Sequence, residues 1–147
     1  MEQTLNLKKD EILCVEGDQQ TDLYLVKEGR LLICLCKGSA ITPLAYLQPG
    51  DYLGELSFFD GKPRSANVIS LEPSTLLKIP QEQAQKVFPP WLLTTAQSIT
   101  KKIRHTDEVI RIHGLKKQNV EGVKPLSQQE QGHYFRLIQE QNKSKTV

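Results

Sequence analysis

The chain is best understood from the stretch Leu53-Gly-Glu-Leu-Ser-Phe-Phe-Asp-Gly-Lys-Pro-Arg-Ser-Ala-Asn-Val68. Gly54 permits a tight turn, and the residues after it predict one short helical turn, Glu55 to Phe59, which ends at Asp60-Gly61 and Pro63. The first N–H groups of such a turn lack backbone partners, and with the positive end of the helix dipole they favour an anion. Arg64 then supplies a planar fork that suits a phosphate. The stretch therefore predicts a site for one phosphate.

Glu55 has two interpretations at this position. A carboxylate in the first turn of a helix is favoured by the helix dipole in any protein. Beside a phosphate, however, it would be repelled unless the ligand also offers a hydroxyl donor, such as a ribose 2′-OH, for the carboxylate to accept. Glu55 alone does not decide between these interpretations.

The spacing of two short motifs resembles a known family. Gly54-Glu55-Leu56, followed after a gap by Arg64-Ser65-Ala66 and a β-branched strand, is similar to the phosphate-binding cassette of cyclic nucleotide-binding domains. That family includes bacterial catabolite activator proteins and the regulatory subunits of cyclic-nucleotide-dependent kinases. The resemblance implies that the glutamate binds the ribose 2′-OH and the arginine the cyclic phosphate. Helix N–H groups complete the cradle, so the implied ligand-binding residues are Gly54, Glu55, Leu56, Ser57, Arg64, Ser65 and Ala66.

Length and composition predict one domain. The chain has 147 residues, of which 38% are hydrophobic and 24% charged, enough for a single core. It contains neither an apolar run long enough to span a bilayer nor an N-terminal signal-peptide pattern. We therefore expect a cytoplasmic protein without a membrane segment.

The pattern of cysteines and histidines argues against an enzyme. Cys14, Cys34 and Cys36 are too few for a secreted disulfide scaffold, and buried core thiols are the favoured interpretation. No histidine precedes His105, so the β-rich part of the chain offers no metal site and no Ser-His-Asp or Cys-His arrangement. This also disfavours a metal-binding cupin, which has a similar architecture. We expect no catalytic residues and no metal.

The first ninety residues read as short strands separated by turn signals. The absence of alternating helices favours an antiparallel arrangement over a parallel sheet. The predicted fold is mainly β, an antiparallel, jelly-roll-like β-roll over residues 1–90 with the short cassette helix inserted, and the resemblance implies the same. The predicted strands are Glu11 to Val15, Asp22 to Val26, Arg30 to Cys36, Leu44 to Leu47, Ala66 to Leu71 and Thr75 to Ile79.

Helices are predicted from residue 80 onward. After a short helix, Gln81 to Val87, a long one is predicted from Trp91 to about Ile112, and residues 91–113 form a lid or dimerisation helix. Its apolar seam fits either packing on its own roll or pairing with a second copy, and in the catabolite-activator branch the corresponding helix does both. The seam comprises Leu92, Ala96, Ile99, Ile103, Thr106 and Ile110.

Two residues of the long helix are candidates for contacting the base. The resemblance places Thr106 and Asp107 where side chains of the catabolite-activator branch meet the purine. The alternative is an exposed pair on the helix surface. That branch usually has two hydroxyl residues here, so Asp107 is a departure from its pattern.

Residues 114–147 are predicted to form a linker and a tail helix. Ser127-Gln128-Gln129-Glu130 predicts a capping box, with a helix to about Asn142. Only 34 residues remain after the long helix, too few for the winged helix-turn-helix of related transcription factors, so DNA is an unexpected partner. Residues 91–147 carry 10 Lys or Arg against 5 Asp or Glu. A solvated helix or linker explains this charge better than nucleic acid or an acidic partner.

The sequence therefore predicts a sensor of a 3′,5′-cyclic purine nucleotide that signals by movement of its C-terminal helices. Cyclic AMP is favoured over cyclic GMP, because Ser65 stands where family members that prefer cyclic GMP often have threonine. The predicted partners are the nucleotide, an unknown output protein and a second copy bound through residues 91–112. The alternatives are a regulatory N-terminal module of a larger enzyme or channel, and a DNA-binding regulator that lacks its usual output domain.

Overall fold

The computed structural model describes residues 3 to 113 and 124 to 146, which form two antiparallel sheets and several helices. The strands are β1 (Gln3–Leu7), β2 (Ile12–Cys14), β3 (Leu23–Glu28), β4 (Leu31–Lys37), β5 (Ala40–Leu47), β6 (Tyr52–Leu53), β7 (Asn67–Ser70) and β8 (Ser74–Ile79). The helices are α1 (Glu55–Asp60), α2 (Glu82–Val87), α3 (Pro90–His113) and α4 (Gln128–Lys145).

The two sheets confirm the predicted antiparallel β-roll. One has the strand order β1-β8-β3-β6 and the other β2-β7-β4-β5, and every strand pairing is antiparallel. Each strand contributes to one buried apolar cluster between the sheets, so the side chains that alternate inward along both sheets form the core. The cluster comprises Leu7, Cys14, Tyr24, Val26, Leu31, Leu47, Leu53, Val68 and Leu76.

Strand β4 is buried on both of its faces. Leu31 points into the cluster between the sheets, whereas Leu32 and Cys34 belong to a second cluster on the other face of the β2-β7-β4-β5 sheet. All three side chains are 0% exposed. A strand with apolar side chains on both faces needs a packing partner on each face, and here α4 packs on the second face.

Helix α4 packs against the β-roll, which differs from the favoured interpretation of the tail as a solvated helix or linker. The predicted capping box is present: the Glu130 N–H donates to Ser127 Oγ at 3.1 Å and the Ser127 N–H to Glu130 Oε1 at 3.1 Å. Ile138 is 3% exposed within the second cluster, and the Ile41 N–H donates to Gln131 Oε1 at 3.2 Å. Apolar burial therefore outweighs the polar composition that suggested a solvated helix.

Some boundaries differ from the prediction. Strand β1 was not predicted, because Gln3–Leu7 offers only two leucines among polar residues, yet it pairs with β8 along its whole length. Strand β5 begins at Ala40, four residues before the prediction. The predicted linker over residues 114–123 and the Ile110 side chain lie outside the described residues. Within the described ranges, no helix is long and apolar enough to cross a membrane.

Candidate functional site

A cavity of about 190 Å³ lies where α1, α3 and the strands meet. It brings together eight of the nine residues that the sequence singled out, although they come from the cassette and from a helix some forty residues further along the chain. Those eight are Gly54, Glu55, Leu56, Ser57, Arg64, Ser65, Ala66 and Asp107.

Helix α1 forms one wall of the cavity and begins and ends at glycines. Gly54 (φ 84°) precedes it and Gly61 (φ 69°) follows it, both in the left-handed region. The Phe58 N–H donates to the Gly54 carbonyl at 3.0 Å, which closes the first turn. Glu55 is exposed at the start of the helix, whereas Ser57 is 1% exposed. The predicted cassette helix is therefore confirmed, with its acidic residue at the rim and its hydroxyl inside.

Arg64 is the buried cation of the site. Arg64 is 5% exposed. Its Nη1 donates to the Gly54 carbonyl at 3.0 Å, and its Nη2 donates to the Asp22 carbonyl at 2.6 Å. Both acceptors are neutral, so these bonds orient the guanidinium without compensating its charge. Its Nε is buried and has no hydrogen-bond partner. A buried guanidinium whose charge is not compensated, and which keeps a spare donor, suits an anion.

Tyr24 and Cys14 line the cavity behind Arg64. The Arg64 Cζ atom lies 5.8 Å from the centre of the Tyr24 ring. Burial raises the pKa of Tyr24 to about 12, although the nearby Arg64 charge opposes the shift. Burial likewise raises the pKa of the Cys14 thiol to about 11. Both groups therefore stay neutral at neutral pH, as expected for core residues.

The cavity also has an apolar wall. Ile33, Leu44 and Ala45 line it, and they come from the β4–β5 pair where its register shifts. Ile33 pairs with Ala45 and Cys34 with Pro43, so Leu44 is the extra residue of a bulge. Bulges redirect side chains, and here the bulge provides an apolar wall on which a flat ring could pack.

Helix α3 closes the cavity and is fixed to α1 by an ion pair that the sequence analysis missed. Arg104 Nε lies 2.5 Å from Asp60 Oδ2 and its Nη2 lies 3.1 Å from Oδ1, with Ser57 Oγ at 3.4 Å from Nη2. Ile103 and Asp107 are four residues apart and therefore lie on the same face of the helix, where both line the cavity. No local signal linked Arg104 to Asp60, since 44 residues separate them.

Thr106 lies outside this arrangement. Its side chain is exposed, its hydroxyl donates to the Lys102 carbonyl at 3.2 Å, and it is absent from the cavity lining. Ile103 takes its place as the second lining residue of α3. No group of three or more His, Cys, Asp or Glu side chains in the described part of the chain could hold a metal ion.

Known proteins resemble this chain in sequence and in fold. The chain is 32% identical over 84 residues to the cyclic nucleotide-gated channel alpha-4 of Mus musculus, a match over 53% of this chain and 14% of the channel subunit. Among solved structures, the EAL enzyme Bd1971 in its cAMP-bound form has a TM-score of 0.68 and 28% identity, covering 80% of this chain and 32% of that one. Its cGMP-bound form has a TM-score of 0.64 and 30% identity, covering 69% of this chain and 28% of that one.

The chain thus spans less than a third of the length of the first relatives that it matches. What it shares with them is the domain described above. The model of the cyclic nucleotide-binding domain matches residues 4–89, which run from β1 to the end of α2 and include the whole cassette. This chain belongs to the cyclic nucleotide-binding domain family.

Proposed function

We propose that this chain is a sensor that binds a 3′,5′-cyclic purine nucleotide, with its cyclic phosphate on Arg64 and its ribose on Glu55. The observation that carries the proposal is Arg64, a buried residue that lines the cavity and whose guanidinium is held by two carbonyls and keeps a buried Nε without a hydrogen-bond partner. A phosphate supplies the charge and the acceptors that the guanidinium lacks. The apolar wall of Ile33, Leu44 and Ala45 then suits the face of the base.

The preferred base in this proposal is adenine. Asp107 of α3 also lines the cavity, but its carboxylate can accept a hydrogen bond from the exocyclic amine of either purine, so the preference rests on Ser65. Ser65 directly follows Arg64, where a threonine hydroxyl would favour a syn guanine. A competition titration should therefore show tighter binding of cyclic AMP than of cyclic GMP, and Ser65→Thr should narrow the difference. Preference of the wild type for cyclic GMP by tenfold would reverse the assignment.

Glu55→Ala should weaken binding of cyclic AMP roughly 10- to 150-fold, because hydrogen bonds to charged groups contribute about 1.5–3 kcal/mol. It should also remove most of the preference for cyclic AMP over its 2′-deoxy analogue, which lacks the donor that a carboxylate accepts. Calorimetric titration with both nucleotides measures the two effects.

The matched control is Glu82→Ala. Glu82 occupies the first turn of α2, so it has the same relation to a helix dipole without lining the cavity. If Glu55 serves only as a helix-start acid, both variants will lower the melting temperature alike and neither will change nucleotide affinity. That result would remove Glu55 from the site.

The proposal for signalling concerns α3. Arg104 fixes the helix to α1, and Lys37 Nζ donates to the Ile112 carbonyl at 3.4 Å near its C-terminal end. Yet Trp91 and Ile99 are 69% and 52% exposed, which leaves an apolar surface for a second copy of the chain. Two competing partners for one helix make two packings of similar energy plausible.

Cyclic AMP should therefore slow amide exchange in residues 91–113 and in α4. A nucleotide that binds ~100-fold more tightly when α3 packs over the cavity shifts the balance between the two packings by ~2.7 kcal/mol. Such a shift turns a minor population into the major one. Hydrogen exchange with and without cyclic AMP tests this. Changes confined to residues 50–70 would make the domain a passive binder.

A regulatory module of a larger enzyme or channel is the second candidate. It is favoured by the small share of Bd1971 and of the channel subunit that this chain spans. The nucleotide site is the same in both candidates, and they differ only in the output. A longer open reading frame around this sequence would decide for the module.

A further inference from the structure

The four-residue turn Val15–Asp18, called here the brace turn, lies between Arg64 and α4. The turn is closed by its own groups: the Asp18 N–H donates to the Val15 carbonyl at 3.1 Å, and the Val15 N–H donates to Asp18 Oδ2 at 3.0 Å. These two bonds fix the Asp18 backbone and carboxylate together. A displacement at one end of the turn therefore reaches the other.

One side of the brace turn holds the backbone of Arg64. The Arg64 N–H donates to the Asp18 carbonyl at 2.8 Å, and the Gly17 N–H donates to the Arg64 carbonyl at 2.8 Å. This pair of bonds positions the Arg64 main chain, from which the side chain extends to Gly54 and Asp22. The position of the guanidinium in the cavity thus depends on the position of the turn.

The other side of the brace turn holds α4, by two different kinds of contact. Val15 is 2% exposed and belongs to the same buried cluster as Ile138 of α4. Lys145, in the last turn of α4, forms an ion pair with the Asp18 carboxylate. A cation there is also favoured by the helix dipole. The apolar contact and the ion pair therefore fasten α4 to both ends of one turn.

We propose that α4 positions Arg64 for the nucleotide through the brace turn, without involving α3. Lys145 is then a positioning residue for a ligand that it does not touch. Docking of α4 and binding of the nucleotide stabilise each other, because coupling between two equilibria acts equally in both directions. This inference rests on the proposed function and adds a regulatory element to the same site: anything that draws α4 off the roll lowers nucleotide affinity.

The expected effect of the ion pair is small and measurable. Its side chains are 43% and 19% exposed, and solvent weakens pairs of this kind. Lys145→Ala should therefore weaken cyclic AMP binding about two- to fivefold. Lys145→Arg, which keeps the charge, should bind like the wild type. Ile138→Ala acts on the apolar contact instead and should weaken binding without touching the ion pair.

The experiment is calorimetric titration of the full chain with cyclic AMP, well below each variant's melting temperature. The matched control is Lys143→Ala, which removes the same charge from the same helical turn. Asp18→Asn keeps one oxygen that can accept from the Val15 N–H, and it removes the charge that pairs with Lys145. Combined with Lys145→Ala, it should weaken binding no further than either single change, as for two residues that act through one contact. In the reciprocal measurement, cyclic AMP should slow exchange in α4 more in the wild type than in Lys145→Ala.

Equal affinities of Lys145→Ala and the wild type would reject the coupling. Weakening by Lys143→Ala to the same extent would also reject it, since the effect would then be one of overall charge. Both results leave the proposed function standing, because the wild type binds. If the wild type binds no cyclic nucleotide at all, the proposed function fails and the coupling fails with it.

Discussion

Arg64→Ala should bind cyclic AMP roughly 30- to 1000-fold more weakly than the wild type. The guanidinium is 5% exposed and already oriented by the carbonyls of Gly54 and Asp22, so a phosphate meets it in a partly dry site. Loss of one partner of such a charge-assisted pair costs ~2–4 kcal/mol. Calorimetry measures the affinity, and thermal melting shows whether the variant is folded.

Two further variants separate the role of Arg64 from general effects of charge. Arg64→Lys keeps the charge but offers a point donor instead of a fork, so it should recover only part of the affinity. Arg30→Ala removes an arginine that lies over the Tyr46 ring, 4.7 Å from its centre, and should leave affinity unchanged. Wild-type affinity in Arg64→Ala would reject the assignment of the phosphate to this residue.

Gly54→Ala should both destabilise the fold and impair binding. A Cβ there would lie 2.5 Å from Arg64 Nη1 and 2.7 Å from the Asp22 carbonyl oxygen, in a backbone with φ 84°. The left-handed conformation alone costs a non-glycine residue ~1–2 kcal/mol. The clash adds to this, and it displaces the guanidinium from its carbonyl acceptors. We expect at least a tenfold loss of affinity and a clearly lower melting temperature.

Gly50→Ala is the control for backbone strain. Gly50 has φ 98°, but nothing lies within 4 Å of an added Cβ. It should therefore lower the melting temperature by the strain alone and leave the affinity for cyclic AMP unchanged. If Gly54→Ala behaves like Gly50→Ala in both measurements, the close packing of Gly54 against Arg64 does not matter for the site.

The cassette could be predicted because its determinants are local. A glycine before a short helix, an acid at its start and an arginine ten residues on are readable without knowing the rest of the fold. The structure brings these residues together at one cavity. The strands were also predictable where turn residues separate apolar runs, whereas β1 was not, since it has little apolar character and gains its place through pairing with β8.

Contacts between distant segments were not predictable in the same way. The Arg104–Asp60 pair joins residues 44 apart, and nothing in either neighbourhood specifies the other. Thr106 and Asp107 are adjacent, yet only Asp107 lines the cavity, because the helix rotation that decides between them is set by Arg104 and by packing.

The docking of α4 did leave a signal in the sequence. The run Leu31-Leu-Ile-Cys-Leu35 is apolar on both faces, which a sheet with one solvated face would not need. A cover for the second face was therefore required, and Tyr134, Leu137 and Ile138 lie in the segment that supplies it. This signal is not local, because the apolar strand and the helix that covers it are far apart in the chain.

The most direct test of the central claim is a crystal structure of the full chain with cyclic AMP bound. The account predicts the cyclic phosphate within hydrogen-bonding distance of the Arg64 guanidinium, the ribose 2′-OH at the Glu55 carboxylate, and the adenine between the apolar wall and α3. A nucleotide bound elsewhere, or one in the cavity with its phosphate turned away from Arg64, would contradict it.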